Sequence, residues 1–120
     1  MHKNLKSTPV SFQQVKGLHI RDAQKMMKRI YFERDKRRGI DAMCKWLSDE
    51  VRELEEAITH EDINAIREEM ADVLAWLLSL ANVIGVELED VFLKRYPNRC
   101  PKCGQSVCNC QFYRYPSEKR

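Results

Sequence analysis

Glycine and proline are scarce in this chain, with four of each among 120 residues. A sandwich or barrel of many short strands needs more turn residues, so such all-β folds are excluded. No alternating apolar and polar pattern predicts a strand, and no repeat indicates a solenoid. The most apolar stretch, residues 73–86, is interrupted by Ser79, Asn82 and Gly85 and is shorter than the roughly 20 residues that span a bilayer.

The first residues also lack the apolar segment of a secretory leader. We therefore expect a cytoplasmic protein with no membrane partner. In that reducing compartment, the five cysteines are expected to be thiols or metal ligands rather than disulfides.

Acidic residues are concentrated in the middle of the chain. Residues 49–72 contain ten carboxylates and two arginines, a local charge of −8, although the whole chain carries +3. Residues 1–38 carry +8 and residues 94–120 carry +6. This partition suggests acids that hold a metal and basic flanks that are available for phosphate.

Apolar residues recur at helical spacing in three long segments and one short segment, which predicts an all-α fold. The first helix is expected from Leu18 to Tyr31, ending in a polar run in which residues 36–38 form an exposed loop. The core face of the second helix is predicted to contain Met43, Leu47, Val51, Leu54 and Ile58, and that of the third helix Ile63, Ile66, Met70, Val73, Leu77, Leu80 and Ile84. Between these helices, Thr59 and Asp62 are expected to form a capping box. A short fourth helix is predicted from about Glu87 to Arg95.

The third helix is apolar around most of its circumference, which a bundle this small does not easily cover. We therefore expect a homo-oligomer, either a dimer or a tetramer. The predicted domains are an N-terminal extension at 1–17, a helical domain at 18–96, a Cys-rich zinc-binding tail at 97–115 and a flexible end at 116–120.

Two pairs of acids lie beside the apolar stripes of the second and third helices. Glu50 and Glu53 form one pair, and Glu69 and Asp72 form the other. Each pair has the i, i+3 spacing that puts both side chains on one helix face. If these helices form an antiparallel hairpin about residue 61, Glu50 faces Asp72 and Glu53 faces Glu69, so all four carboxylates converge.

The converging acids predict a metal site. Clustered carboxylates repel one another unless a cation lies between them, and oxygen ligands suit Mg²⁺ or Mn²⁺. Di-iron bundles need Glu-x-x-His pairs, and none of His2, His19 and His60 follows one of these acids by three residues, which weighs against iron. The alternative is a solvated, Glu-rich helix surface without a metal.

The same hairpin register sets Trp46 level with Trp76, roughly 6 Å along the axis from the acids. This pair offers a flat surface for a nucleobase, and Lys36 and Arg38 are candidates to hold phosphate. Alternatively, both tryptophans belong to the core and the basic run is only an exposed loop.

The acidic motifs resemble those of the MazG-type all-α nucleoside triphosphate pyrophosphohydrolases, in which Glu-Glu-x-x-Glu on one helix precedes Glu-x-x-Asp on the next. The resemblance covers residues 20–96. It is carried by these segments: Asp49-Glu50-Val51-Arg52-Glu53, Glu69-Met70-Ala71-Asp72, Trp46-Leu47, Val73-Leu74 and Gly85-Val86-Glu87-Leu88.

The resemblance implies a four-helix bundle that hydrolyses an NTP or dNTP to the monophosphate and pyrophosphate, as in housecleaning of the nucleotide pool. It implies that four residues bind catalytic Mg²⁺: Glu50, Glu53, Glu69 and Asp72. Glu53 or Asp49, which replaces the first Glu of the motif, is the candidate to orient the attacking water. Trp76 falls where the family carries an aromatic near the substrate, and Lys94 and Asn98 fall where it places phosphate-contacting residues.

Four further cysteines lie within 11 residues near the end of the chain. Cys100 and Cys103, followed by Gly104, have the spacing of a zinc knuckle, and Cys108 and Cys110 complete four thiols for a tetrahedral Zn²⁺. Four protein ligands close the coordination sphere, so this zinc is expected to be structural. A disulfide or unliganded thiols are the alternatives.

Two other classes of function remain open. The first is a zinc-knuckle nucleic-acid-binding module on a helical dimer scaffold, in which basic and aromatic residues hold a single strand. Its candidate residues are Arg99, Lys102, Phe112, Tyr113, Arg114 and Tyr115. The alternative, which we favour, is a tail that folds back to pad the helical core or a dimer interface. The second is a non-enzymatic helical dimer that acts as an interaction partner. Cys44, in the second helix, is expected to be a buried, apolar-like thiol.

Overall fold

The computed structural model describes residues 17–111, which fold into α-helices and contain no strand in that range. The helices are α1 Ile20–Arg38, α2 Ile40–Thr59, α3 Ile63–Ile84 and α4 Leu88–Arg95. The all-α prediction is confirmed. Most of the predicted N-terminal extension, the aromatic residues after 111, Arg114 and the predicted flexible end at 116–120 lie outside the described residues.

The chain divides into two compact units after Leu88. The first contains α1, α2 and α3, and the second contains most of α4 and four of the five cysteines. This division comes earlier in the chain than the boundary predicted at residue 96. Between residues 17 and 111, no single helix is long and apolar enough to cross a membrane; only α3 and α4 taken together reach that length and composition.

Helix α1 is longer than its apolar pattern predicts. It continues through Lys36 and Arg37 to Arg38, so the prediction that this basic run forms a loop is wrong. Cations in the last turn of a helix interact favourably with its unpaired carbonyl groups, which explains why the polar run stays helical. Gly39 then separates α1 from α2 with a φ of 87°, a backbone conformation that favours glycine.

Helices α2 and α3 form the predicted antiparallel hairpin. The break between them is short, and the carboxylate of Asp62 accepts a hydrogen bond of 3.2 Å from the N–H of Ala65 at the start of α3. Asp62 itself is therefore the N-cap. The predicted capping box at Thr59 is wrong, because the Thr59 hydroxyl donates to the carbonyl of Glu55 one turn earlier.

Polar contacts fasten α1 to the end of α3. The buried amide of Gln24 donates to the carbonyl of Val86 at 2.7 Å and accepts from the N–H of Leu88 at 3.0 Å. The Asn82 amide donates to the Gln24 carbonyl at 2.9 Å. These bonds satisfy the backbone where α3 stops at Gly85, and they hold α1 against the α2–α3 hairpin.

The core of the first unit is small. Its buried apolar side chains are Met43, Ala57, Trp76, Leu78 and Ala81. Several residues predicted on the core faces are instead exposed: Val51, Ile58, Ile63, Met70, Leu77 and Ile84. Periodicity identified an apolar face correctly, but one chain supplies too few neighbours to cover it. The prediction for Cys44 is also wrong, because this thiol is exposed.

Candidate active site

Three carboxylates converge where α2 and α3 face each other. Ligand oxygens of Glu50, Glu69 and Asp72 lie within 4.8 Å of one another. Glu69 and Asp72 share a face of α3 because they are three residues apart, and the antiparallel pairing brings Glu50 opposite them. Glu69 is only 4% exposed, and the other two are half-buried. The structure therefore brings together three of the four acids that the sequence singled out.

The electrostatics of this cluster favour a bound cation. Burial, followed by hydrogen bonding to Glu69 and Glu53, raises the pKa of Glu50 to about 8. The Oε2 atom of Glu50 is buried and has no hydrogen-bond partner among the described residues. A divalent ion between these oxygens would offset the repulsion and satisfy that atom. Hard carboxylate oxygens are the ligands that Mg²⁺ and Mn²⁺ prefer, so the residues fit such an ion.

Glu53, the fourth predicted acid, lies beside the three clustered acids. Its carboxylate is exposed and is close enough to Glu50 to contribute to the raised pKa of that carboxyl. Together with Glu69 it lines a groove of about 410 Å³ near the α2–α3 turn, which opens one side of the cluster to solvent. Asp49, the other candidate for orienting water, forms an ion pair with Arg52.

The two tryptophans lie at the same height, as the hairpin register predicts. The ring centroids of Trp46 and Trp76 are 5.4 Å apart. Trp76 is 3% exposed and belongs to the core, whereas Trp46 is 36% exposed. Of the two rings, Trp46 therefore has the larger solvent-accessible surface, and the buried ring of Trp76 packs beside it.

Arg38 lies over this aromatic pair. Its guanidinium carbon is 5.2 Å from the ring centroid of Trp46 and 5.8 Å from that of Trp76. Asp35 holds it there through an ion pair of 3.2 Å. Burial raises the pKa of Asp35, which is 2% exposed, although the charge and hydrogen bond of Arg38 act in the opposite direction.

Asp35 was missed in the sequence analysis. A signal for it existed, because position 35 continues the apolar stripe of Met27 and Tyr31 at intervals of four residues, so its side chain had to face the core. A buried acid three residues before an arginine on one helix indicates an ion pair that orients the arginine.

The remaining predicted substrate contacts are Lys36, Lys94 and Asn98. Lys36 pairs with Glu33 at 3.6 Å and lies over the ring of Phe32, both on α1 itself. Lys94 and Asn98 belong to the second unit, where each lines a separate pocket.

The second unit brings the four clustered cysteines together. The sulfur atoms of Cys100, Cys103, Cys108 and Cys110 lie within 4.8 Å of one another, and all are free thiols.

The chain matches a known protein family. The MazG nucleotide pyrophosphohydrolase domain matches residues 38–104, slightly more than half of the chain. The matched region begins at Arg38 and includes both acidic motifs, α2, α3, α4 and the first cysteine pair. No curated protein matches the chain.

Proposed function

Since this chain belongs to the MazG nucleotide pyrophosphohydrolase domain family, we propose that it hydrolyses a nucleoside triphosphate, NTP or dNTP, to the monophosphate and pyrophosphate with Mg²⁺ or Mn²⁺. The observation that carries the proposal is the convergence of Glu50, Glu69 and Asp72, whose ligand oxygens lie within 4.8 Å of one another. Housecleaning of the cytoplasmic nucleotide pool is a role that suits this reaction.

Each carboxylate has a role in this proposal. Glu50, Glu69 and Asp72 would hold the metal, and Glu50 would be its ligand in the ionised form. When bound, Mg²⁺ neutralises phosphate oxygens and lowers the pKa of the attacking water. Glu53 orients that water and accepts its proton, because its carboxylate is exposed and contacts Glu50. Asp49 is less suited to this task, since its carboxylate is paired with Arg52.

The aromatic end of the hairpin binds the nucleoside. A base stacks on the exposed ring of Trp46, while Arg38, oriented by Asp35, adds a positive charge next to it. The phosphates then extend toward the acids, roughly one helical turn away. Lys36, Lys94 and Asn98 stay predictions as phosphate contacts.

The experiment that tests the function is pyrophosphate release from a panel of standard and modified nucleoside triphosphates. We expect turnover of at least one nucleotide with Mg²⁺, and its loss in Glu50→Gln and Glu69→Gln. The matched control is Glu55→Gln, an exposed acid on α2 outside the cluster, which should keep its activity. Folded protein that turns over nothing on the panel in the presence of Mg²⁺ refutes the proposal.

A second copy of this chain is the proposed partner of α3. Ile63, Met70, Leu77 and Ile84 occur at every seventh position and are 42–55% exposed, with Leu74 beside them at 55%. Apolar residues at seven-residue intervals are typical of the contact line between paired helices. The stripe is also unusually apolar for a solvent-exposed surface. Two-fold pairing would bury the same stripe on both subunits, and a further contact would give a tetramer.

Light scattering in solution tests this association. We expect the wild-type protein to have the mass of a dimer or tetramer, and Leu77→Lys and Ile84→Lys to shift it toward the monomer. Val107→Lys changes an exposed apolar residue in the second unit and should leave the mass unchanged. A wild-type protein that is monomeric at micromolar concentration contradicts this part of the proposal.

A nucleic-acid-binding module is the second candidate function. The observation in its favour is a pocket of about 410 Å³ in the second unit, which has three cationic and no acidic lining residues. Arg95, Arg99 and Lys102 supply the charge, and the rings of Phe92 and Tyr96 supply surface for stacking.

Fluorescence anisotropy with a labelled single-stranded oligonucleotide tests this candidate. The affinity of the protein for the oligonucleotide should fall steeply as salt increases. It should also be weaker in Arg99→Gln and Lys102→Gln, but not in Lys45→Gln on α2. An affinity that does not depend on salt, or that is the same in all three variants, counts against this candidate.

A further inference from the structure

The four cysteines of the second unit are arranged around the space of a single ion. Cys100 Sγ and Cys110 Sγ are 3.8 Å apart. In a tetrahedral site with Zn–S bonds of about 2.3 Å, neighbouring sulfurs are separated by about 3.8 Å. A disulfide would need the two sulfurs at about 2.05 Å. We propose that Cys100, Cys103, Cys108 and Cys110 together bind one Zn²⁺.

The backbone around the cysteines is shaped for this geometry. The N–H of Cys100 donates to the Gln105 carbonyl, and the N–H of Gly104 donates to the Cys100 carbonyl, both at 2.8 Å. These bonds close a tight turn in which Gly104 has a φ of 75°, and the turn brings the first two thiols side by side.

Backbone N–H groups also point at the sulfurs. The N–H of Asn109 donates to Cys103 Sγ, and the N–H of Cys110 donates to Cys108 Sγ, both at 3.4 Å. Such donors stabilise negative charge on a thiolate and fix its direction, as outer contacts do at metal sites. The loop at residues 108–110 therefore orients one thiol of each cysteine pair, Cys103 and Cys108.

The sulfurs occupy the place where this unit would otherwise have a hydrophobic core. Between residues 89 and 111, no residue is buried, and those that are half-buried are Glu89, Cys100, Cys103 and Cys110. The apolar side chain of Val107 is 80% exposed. A segment this small with no apolar core needs a disulfide or a metal to hold its fold. The zinc ion is the core of this unit.

The ion is structural rather than catalytic. Four protein thiolates leave no coordination position for water or substrate. Two of them, Cys100 and Cys108, also line the cationic pocket, so the metal sets the spacing of Arg99 and Lys102 in its wall. Zinc binding at these cysteines is independent of pyrophosphohydrolase activity and is measured without a nucleotide.

Metal analysis of the whole 120-residue chain is the first test. We expect one zinc ion per chain in the wild type and in Cys44→Ser, whose exposed thiol on α2 makes it the matched control. Cys103→Ser and Cys108→Ser should weaken zinc binding at least about tenfold in a chelator competition. Substitution of Co²⁺ in the wild type should give the visible bands and thiolate charge-transfer absorption of a tetrahedral tetrathiolate site.

A second measurement uses only the wild type, in case a serine variant does not fold. Chelation should speed hydrogen exchange in residues 97–111 and leave the protected amides of α2 and α3 unchanged. Three results overturn the proposal: wild-type protein that takes up no zinc when incubated with it, iron in place of zinc, or a Cys44→Ser variant that loses the metal to the same extent as Cys108→Ser.

Discussion

Replacing Glu50 by Gln should have opposite effects in the absence and presence of Mg²⁺. In the metal-free protein, Glu50 is crowded against Glu69 and Asp72 within 4.8 Å. Two charges at that separation repel by about 3.5 kcal/mol at an effective dielectric constant of 20. Since Glu50 is half-exposed and takes up a proton, we reduce this repulsion energy to about 1 kcal/mol.

The amide removes that repulsion and can donate a hydrogen bond to a neighbouring carboxylate. Metal-free Glu50→Gln should therefore melt about 4 °C above the wild type at pH 8, because about 1 kcal/mol corresponds to that shift for a domain of this size. With Mg²⁺ at 100 times its dissociation constant, the wild type should gain about 2.7 kcal/mol, or about 10 °C. The variant should gain almost nothing.

Thermal melting followed by circular dichroism, with EDTA or with Mg²⁺, measures both effects. Glu55→Gln removes an exposed acid from the same helix and should follow the wild type in both conditions. A Glu50→Gln protein that melts below the wild type in EDTA, or that keeps the full Mg²⁺ shift, refutes the assignment of Glu50 as a crowded metal ligand.

Three further predictions concern pH, the ion pair between Asp35 and Arg38, and the ring of Trp46. The pKa of Glu50 is raised from 4.5 to about 8, so the folded metal-free protein binds one more proton than the unfolded chain between these values. Its free energy of unfolding should therefore fall as pH rises from about 4.5 to 8 in urea titrations, and saturating Mg²⁺ should abolish this slope. A flat profile in EDTA contradicts it. Asp35→Asn should lower the free energy of unfolding by about 1–3 kcal/mol. It should also raise KM more than it lowers kcat, because Arg38 loses the ion pair that orients it. An unchanged KM argues against this orienting role of Asp35. Trp46→Ala should raise KM by about tenfold and Trp46→Phe should restore most of the affinity, whereas equal KM values for the two variants would exclude stacking.

The hairpin and its acids were predictable because helix geometry determines them. A pitch of 3.6 residues fixes which side chains share a face, and one short break fixes the register of two antiparallel helices. Glu50 therefore had to meet Asp72, and Trp46 had to meet Trp76. The family resemblance pointed to the same residues, and the matched region includes both motifs.

Several of the missed features depend on neighbours distant in sequence, unlike the length of α1 and the cap of α3, which have local causes. Periodicity marks Met70 and Leu77 as apolar, but it does not say whether the covering surface comes from the same chain or from another. Because periodicity does not show which surface covers a residue, the prediction for Cys44 was also wrong. Cys44 lies on a helix face that α1 and α3 leave uncovered. The position of Arg38 over the tryptophans depends on how α1 docks against the hairpin through Asp35, and no local pattern encodes that docking.

The identity of the products tests the central claim most directly. Phosphorus NMR of a reaction in ¹⁸O-labelled water, with the preferred nucleotide and Mg²⁺, distinguishes cleavage between the α and β phosphates from cleavage elsewhere. We predict a nucleoside monophosphate that carries the label, together with unlabelled pyrophosphate, and no such products from Glu69→Gln. Nucleoside diphosphate with inorganic phosphate, or the same products from Glu69→Gln at the wild-type rate, would contradict the account.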